Sequence, residues 1–238
     1  MRVICVTSDR YLWTLKPFSY LFNCFWSELQ EVTVIGYSFP NFSLPPNFVF
    51  RSVAPVDYPP EKWSNALIQV LNTIPDEQFV FLLDDYWLCR TVDHRGIMAL
   101  GDYMSEHSQV FRMDLTCDVL HANGDARAAT FYEYYGHYDI FEKTPDKEYR
   151  MSLQASIFNK NKLLTVLAND RTPWQTELYS EIPKDWLILG THQWPVRYAN
   201  AVHKGKVDRE ELKLIPEPHL SAIDMFVPKE WEVKVPVA

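Results

Sequence analysis

Apolar residues in this chain fall into short unbroken runs that alternate with stretches at helical spacing. Val3, Ile4, Cys5 and Val6 follow one another without a polar break, as expected for a strand covered on both faces of a parallel sheet. Thr7-Ser8-Asp9 then lies just past its C-terminal end. From Tyr11 to Leu29 the residues Leu12, Leu15, Tyr20, Leu21, Phe25 and Leu29 share a helical face that Pro17 starts or interrupts. Glu31–Tyr37 and Phe48–Val53 are predicted strands, with Pro40, Pro45 and Pro46 breaking the chain between them.

After Pro59-Pro60, Trp63, Leu67, Val70, Leu71 and Ile74 recur at helical spacing, and Phe79–Leu83 is a second buried run. Two such strands joined by a helix predict a right-handed parallel crossover. A further helix starts near Asp93, with Ile97, Leu100 and Met104 facing inward, and leads to a strand over Val110–Leu115. From Cys117 the pattern turns polar and aromatic (FYEYYGHYDIF), followed by a predicted strand at Tyr149–Phe158 and short helices near Asn161 and Pro173. Pro216, Pro218, Pro228 and Pro236 predict an irregular tail after Lys213.

With 238 residues, 47% of them hydrophobic, the chain can build one sizeable core, and one domain is the expectation. A formal net charge of −8 disfavours a surface made for many phosphate contacts, though it allows a local basic groove. The cysteines Cys5, Cys24, Cys89 and Cys117 form no close pair of the zinc or thiol-exchange type. The start of the chain does not read as a signal peptide, and no segment approaches the roughly 20 apolar residues that span a bilayer, so a cytoplasmic location is expected.

The most informative string is Phe79-Val80-Phe81-Leu82-Leu83-Asp84-Asp85, in which an apolar strand carries two carboxylates to the edge of a sheet, where open α/β sheets bind ligands. Two such carboxylates need a cation or several donors to compensate them. Mg or Mn, hard ions that take carboxylate and phosphate oxygens, meet that need, with Asp85 as the metal ligand and Asp84 free to hold a hydroxyl or an amide. The plain alternative is that both aspartates end a strand and cap the next turn.

Four blocks together resemble the GT-A type of nucleotide-sugar glycosyltransferase, in particular small bacterial and phage-like members. They are Val6–Trp13 (VTSDRYLW), Lys62–Leu88, Tyr149–Leu164 and Pro173–Glu177 (PWQTE). The resemblance implies a single-domain GT-A-like (Rossmann-like) fold, with a mixed, mostly parallel sheet flanked by helices. Residues from about 1 to 116 would bind the nucleotide sugar, a UDP-sugar for example, and those from about 117 to 238 would form the acceptor side. It implies an enzyme that transfers a sugar to an acceptor hydroxyl, on a surface glycan, its lipid-linked precursor or a hydroxymethylated pyrimidine in DNA. It also implies a divalent metal, although Tyr86 stands where the usual spaced motif has its second aspartate. A catalytically silent nucleotide- or sugar-binding module of the same fold is the alternative.

The expected donor contacts are Thr7, Ser8, Asp9 and Tyr11 in the first loop, Asp84 and Asp85, Gln154 and Trp174. Thr172-Pro173-Trp174-Gln175 has the pattern of a capping box with Pro at the first helical position. The resemblance makes Glu177 on this helix the general base, with Glu181 as the nearest substitute. His192 and His203 are candidate metal ligands from the C-terminal side. The aromatic cluster Phe131–Tyr138 is either an acceptor-facing loop or local core. Lys204, Lys206 and Arg209 form a small basic patch suited to a diphosphate or an acidic acceptor, or simply a solvated surface.

Overall fold

A computed structural model describes residues 1–53, 59–117, 129–144, 150–203 and 205–231. The buried runs become the strands β1 (Arg2–Val6), β2 (Val32–Gly36), β3 (Phe48–Ser52) and β4 (Gln78–Leu83). They pair in the order β3-β2-β1-β4, all parallel. Beyond β4 come β9 (Ser156–Asn159), β6 (Val110–Asp114), β10 (Leu187–Thr191), β8 (Tyr138–Lys143) and β7 (Ala129–Tyr135), completing a nine-stranded sheet. Here β9 runs antiparallel between β4 and β6, and β8 runs antiparallel to β10 and β7. The result is a mixed, mostly parallel sheet flanked by helices, the fold class expected from the sequence.

Alternate residues of β4 serve two cores. Val80 and Leu82 pack into one, Phe79 and Phe81 into the other, and all four are fully buried. The first core is closed by α1 (Leu15–Phe22) and α3 (His94–Glu106), the second by α2 (Trp63–Leu71) and α4 (Lys160–Val166). At roughly 25 cal/mol per Å² of apolar surface removed from water, burial on both faces explains why these strands tolerate no polar interruption. Asp93 caps α3 by accepting from Gly96 N at 2.9 Å.

Several elements differ from their sequence reading. The Tyr11–Leu29 stretch divides into a 3₁₀ segment at Asp9–Thr14, α1, and a π-helical turn at Asn23–Ser27, and Pro17 sits in the first turn of α1, where its missing N–H costs nothing. The strand expected at Tyr149–Phe158 is ordered as β9 only at Ser156–Asn159, and Tyr149 lies outside the described residues. The tail carries a helix, α7 (Glu217–Asp224), because Pro216 and Pro218 stand at its start, where proline is tolerated. The FYEYYGHYDIF segment is the β7–β8 hairpin, turned at Gly136 with φ 60°. Its strands β8 and β7 sit four and five positions from β4, about 19–24 Å at the usual inter-strand spacing.

Candidate functional site

The C-terminal ends of β1 and β4 lie side by side and open into a cleft. One lobe of about 230 Å³ is lined by Thr7, Ser8, Tyr11, Trp63, Asp84, Asp85, Pro173 and Trp174, among others. A second lobe of about 410 Å³ shares Ser8, Tyr11, Trp63 and Pro173 and adds Asp9, Arg10 and Tyr37. Seven of the eight expected donor contacts therefore line one cleft: Thr7, Ser8, Asp9, Tyr11, Asp84, Asp85 and Trp174. Gln154 does not. Its backbone N donates to Ser152 Oγ in the turn leading to β9.

Local interactions hold each wall. Thr7 N donates to Ile35 O at 2.9 Å, and Gly36 leaves room beside it, since a Cβ there would stand 2.9 Å from the Thr7 methyl and 2.6 Å from the Phe50 ring. Asp9 accepts from both Ser38 N and Ser38 Oγ at 2.8 Å, tying the first loop to the end of β2. The opposite wall is α5 (Pro173–Tyr179), which begins with the expected capping box: Gln175 N donates to Thr172 Oγ1, and Thr172 N donates to Gln175 Oε1. The loop before α5 is clamped to α2, where Asn65 and Asp170 exchange hydrogen bonds of 2.7 and 2.9 Å. This clamp holds Asp170 in the left-handed region, which aspartate tolerates. Trp174, 70% exposed, consequently stands at the rim of the cleft.

The aspartates differ sharply. Asp84 is buried, and its Oδ2 accepts from Thr7 Oγ1 at 2.5 Å and Thr14 Oγ1 at 2.8 Å. Its carbonyl accepts from the indole N–H of the fully buried Trp87, which fixes the turn beyond it. Asp85 Oδ1 is buried and has no hydrogen-bond partner. Burial, then the neighbouring Asp85 charge, pushes the Asp84 carboxyl up to about 8, against the pull of the two threonine hydroxyls. Burial pushes Asp85 up to about 7. Asp85 Oδ1 is thus buried uncompensated beside a second carboxylate, a state that costs free energy until something binds.

The remaining candidates lie elsewhere. Glu177 is on α5, but its Oε1 accepts from Leu153 N at 2.7 Å, and it is not among the residues that line the cleft. Thr176 is the buried residue of this helix. Glu181 is exposed. His192 pairs with Asp139 at 2.7 Å and contacts the Phe141 ring near the β7–β8 hairpin. His203 ends β12 (Val202–His203) and pairs with Lys206 of β13 (Lys206–Val207). At the turn of that hairpin Gly205, φ 77°, approaches Arg10, so that a Cβ would stand 2.8 Å from its guanidinium. Arg209 is paired with Asp224, and Lys204 lies outside the described residues. Of the aromatic cluster, Tyr138 is buried, while Phe131 and Tyr134 are exposed on the hairpin. Among the described residues no three His, Cys, Asp or Glu side chains gather as a ready metal cage, and no helix is long and apolar enough to cross a membrane.

Arg10, Tyr37 and Trp63 also line the cleft and were not expected there. Arg10 follows Asp9 in the first loop, and its guanidinium lies 5.3 Å from the Trp231 ring. Trp63 carried the signal of a core residue and does pack as one, at 5% exposed, while one edge meets the cleft.

No family model matches the chain, and a search of curated proteins finds no match. Among solved structures, the galactosyltransferase LgtC in complex with donor and acceptor sugar analogues matches at TM-score 0.45 and 10% identity, over 97% of this chain and 99% of that one. TarS 1–349 of S. aureus matches at TM-score 0.43 and 13% identity, over 79% and 59%. A UDP-glucose pyrophosphorylase complexed with UDP-glucose matches at 0.40 and 9%, over 83% and 92%. Likenesses this distant leave the assignment of an activity to the chemistry of the cleft.

Proposed function

We propose that the chain is a glycosyltransferase that binds a nucleotide-sugar donor in the cleft between the first loop, Asp84-Asp85 and the start of α5, and transfers the sugar to an acceptor hydroxyl. The observation that carries this reading is the carboxylate pair at the strand ends, with one buried oxygen of Asp85 left without a partner. Such a group suits a divalent ion completed by diphosphate oxygens or a donated ribose hydroxyl. The surrounding groups fit the rest of a nucleotide sugar. Tyr11 offers a flat face, Trp63 an edge, Trp174 an exposed ring at the rim, and Arg10 supplies a guanidinium for phosphate.

Asp85 fits the role of metal ligand better than Asp84, whose Oδ2 already accepts two hydroxyls. A bound Mg or Mn would neutralise charge on the departing diphosphate. What the chain itself does is orient the donor: the first loop and α5 hold it from two sides, and Asp84, fixed by Thr7 and Thr14, keeps the Asp85 turn in place. Glu177 gains less support as general base, because its carboxylate already holds Leu153 N.

A second reading, a silent nucleotide-sugar-binding module, is favoured by one feature: Asp84 is tied to two threonines and Tyr86 replaces a spaced aspartate, leaving a single available carboxylate. Incubation with a panel of nucleotide sugars and Mn separates the readings. Hydrolysis or transfer of one donor supports the enzyme. Binding of the same nucleotides with neither reaction replaces it with the silent module.

A further inference from the structure

After Asp85 the chain continues as β5 (Tyr86–Leu88), paired antiparallel with β11 (Tyr198–Asn200) in a ribbon separate from the main sheet. On this ribbon lies a second cavity, about 530 Å³, between Cys89 and Arg90 on one side and α6 (Arg209–Leu212) on the other. The ribbon ties it to the turn that ends the cleft. Asn200 pairs with Tyr86, and the next residue, Ala201, donates its N–H to Asp85 O at 3.0 Å.

Three features mark this cavity as built for a ligand. Trp194, on its wall, has φ 44°, a left-handed conformation that is strained for a bulky residue and clusters at ligand sites. That conformation presents the Trp194 carbonyl to Arg90 Nη2 at 2.6 Å and its ring to the Arg197 guanidinium, 4.4 Å from the centroid. Both guanidinium groups are exposed, and no carboxylate of the described residues pairs with either. Across the cavity Asn200 Oδ1 is buried without a hydrogen-bond partner, and the Glu211 carboxylate accepts a long bond of 3.4 Å from Asn200 N.

The unspent groups describe their complement. Two guanidinium groups at one wall ask for an anion, for which phosphate and carboxylate are the matching shapes. A buried amide oxygen and a carboxylate ask for donated hydroxyls. We infer that this cavity is the acceptor subsite and takes a hydroxylated saccharide or polyol carrying a phosphate group, the phosphate on Arg90 and Arg197 and the hydroxyls on Asn200 and Glu211. The acceptor role rests on the glycosyl-transfer reading above, whereas binding at the cavity does not. A nucleic acid is the less favoured occupant, because two guanidinium groups at one wall of a chain with net charge −8 make a point contact for one phosphate and no track for a backbone.

Calorimetric titration of the full chain tests this with glucose 6-phosphate, glycerol 3-phosphate and glucose, beside UDP in the presence of Mn. The expected result is binding of at least one phosphorylated probe about tenfold or more tighter than glucose, and a loss of about tenfold or more in Arg197→Glu, whose exposed site leaves the melting temperature unchanged. If neither phosphorylated probe binds better than glucose, or Arg197→Glu keeps the wild-type affinity, the inference fails. It fails equally if a short hydroxymethylcytosine oligonucleotide binds where both phosphorylated probes do not. A polyprenyl sugar phosphate in micelles that displaces glucose 6-phosphate supports the site with a lipid-linked source; binding undisturbed by it supports a soluble source. Phosphorylated-probe binding with no binding of UDP or of any nucleotide sugar in the donor panel keeps this site and removes the proposed function. UDP binding without phosphorylated-probe binding does the reverse.

Discussion

The two cavities on either side of the Asp85 turn hold charge in opposite ways. In the donor cleft two adjacent carboxylates are buried, and their proton affinities are raised because water has been removed from around them. In the second cavity the guanidinium groups of Arg90 and Arg197 remain exposed, supported by a carbonyl and an indole face. The difference separates stability from function. Neutralising a charge in the cleft relieves the folded state while removing what a donor would bind. Neutralising a charge in the second cavity leaves folding almost untouched, since exposed charges contribute little to it.

The sharpest test of this contrast is Asp85→Asn. If Asp85 carries the metal and diphosphate, turnover falls by on the order of 10²–10³, the scale of losing one preorganised electrostatic group. The same variant melts at a higher temperature than wild type at pH 8 in the absence of metal and nucleotide. Loss of activity accompanied by a lower melting temperature would place Asp85 in a structural role.

Thr14→Val removes a hydroxyl whose single proton has two acceptors in reach, Asp84 Oδ2 and Tyr11 O. Hydrogen bonds to charged groups are worth about 1.5–3 kcal/mol, so the variant loses that order of stability at pH 8, where Asp84 is substantially ionised, and less at pH 5.5, where it is protonated. Urea denaturation at the two pH values reads the difference. An equal loss at both would mean that the Tyr11 bond alone matters.

The pair also gives the metal-free protein a pH dependence of unusual sign for carboxylates. In the unfolded chain both aspartates titrate near the ordinary 3.8, whereas in the folded chain they titrate near 8 and 7. Between these limits the folded state holds protons that the unfolded state has released, so stability is greatest toward the acid end of the window and falls as pH rises from about 4 to about 8. Asp84→Asn flattens that slope between pH 5.5 and 8 and stabilises the protein at pH 8 by at least about 1.4 kcal/mol, the equivalent of one pKa unit. A variant with the wild-type slope would show that the pair is already compensated.

What the sequence revealed and what it hid follow from one distinction, between local and assembled signals. Strands β1 and β4 were legible because both faces are covered, leaving a continuous apolar run, and the Asp84-Asp85 pair stood out against it. The α5 capping box was legible because its partners are three residues apart. Leu187–Thr191 carries the same kind of apolar run, yet its small Gly190 and short length hid β10. The irregular tail was misread because proline was taken as a breaker, when at a helix start it is harmless. The second cavity had no local signature at all: Arg90, Trp194, Arg197 and Glu211 meet only because β5 pairs with β11. Trp63 was hidden differently, by doing two things at once, since its buried face fully accounts for its place in the helical pattern.

The smallest effect is expected at Glu177, and it sharpens the boundary of the donor cleft. Glu177 Oε1 accepts from Leu153 N in the segment that leads to β9, and a glutamine keeps an oxygen in that position. If the residue only holds that segment to α5, Glu177→Gln costs no more than about 1 kcal/mol, the worth of a weakened hydrogen bond. Turnover then changes by less than about threefold, with the pH profile unmoved. A general base behaves otherwise, since replacing a group that removes the acceptor proton costs 10²–10⁴ in rate and erases the corresponding limb of the profile. A loss of that size with the melting temperature preserved would return Glu177 to the catalytic centre and require α5 to turn it toward the cleft when donor binds.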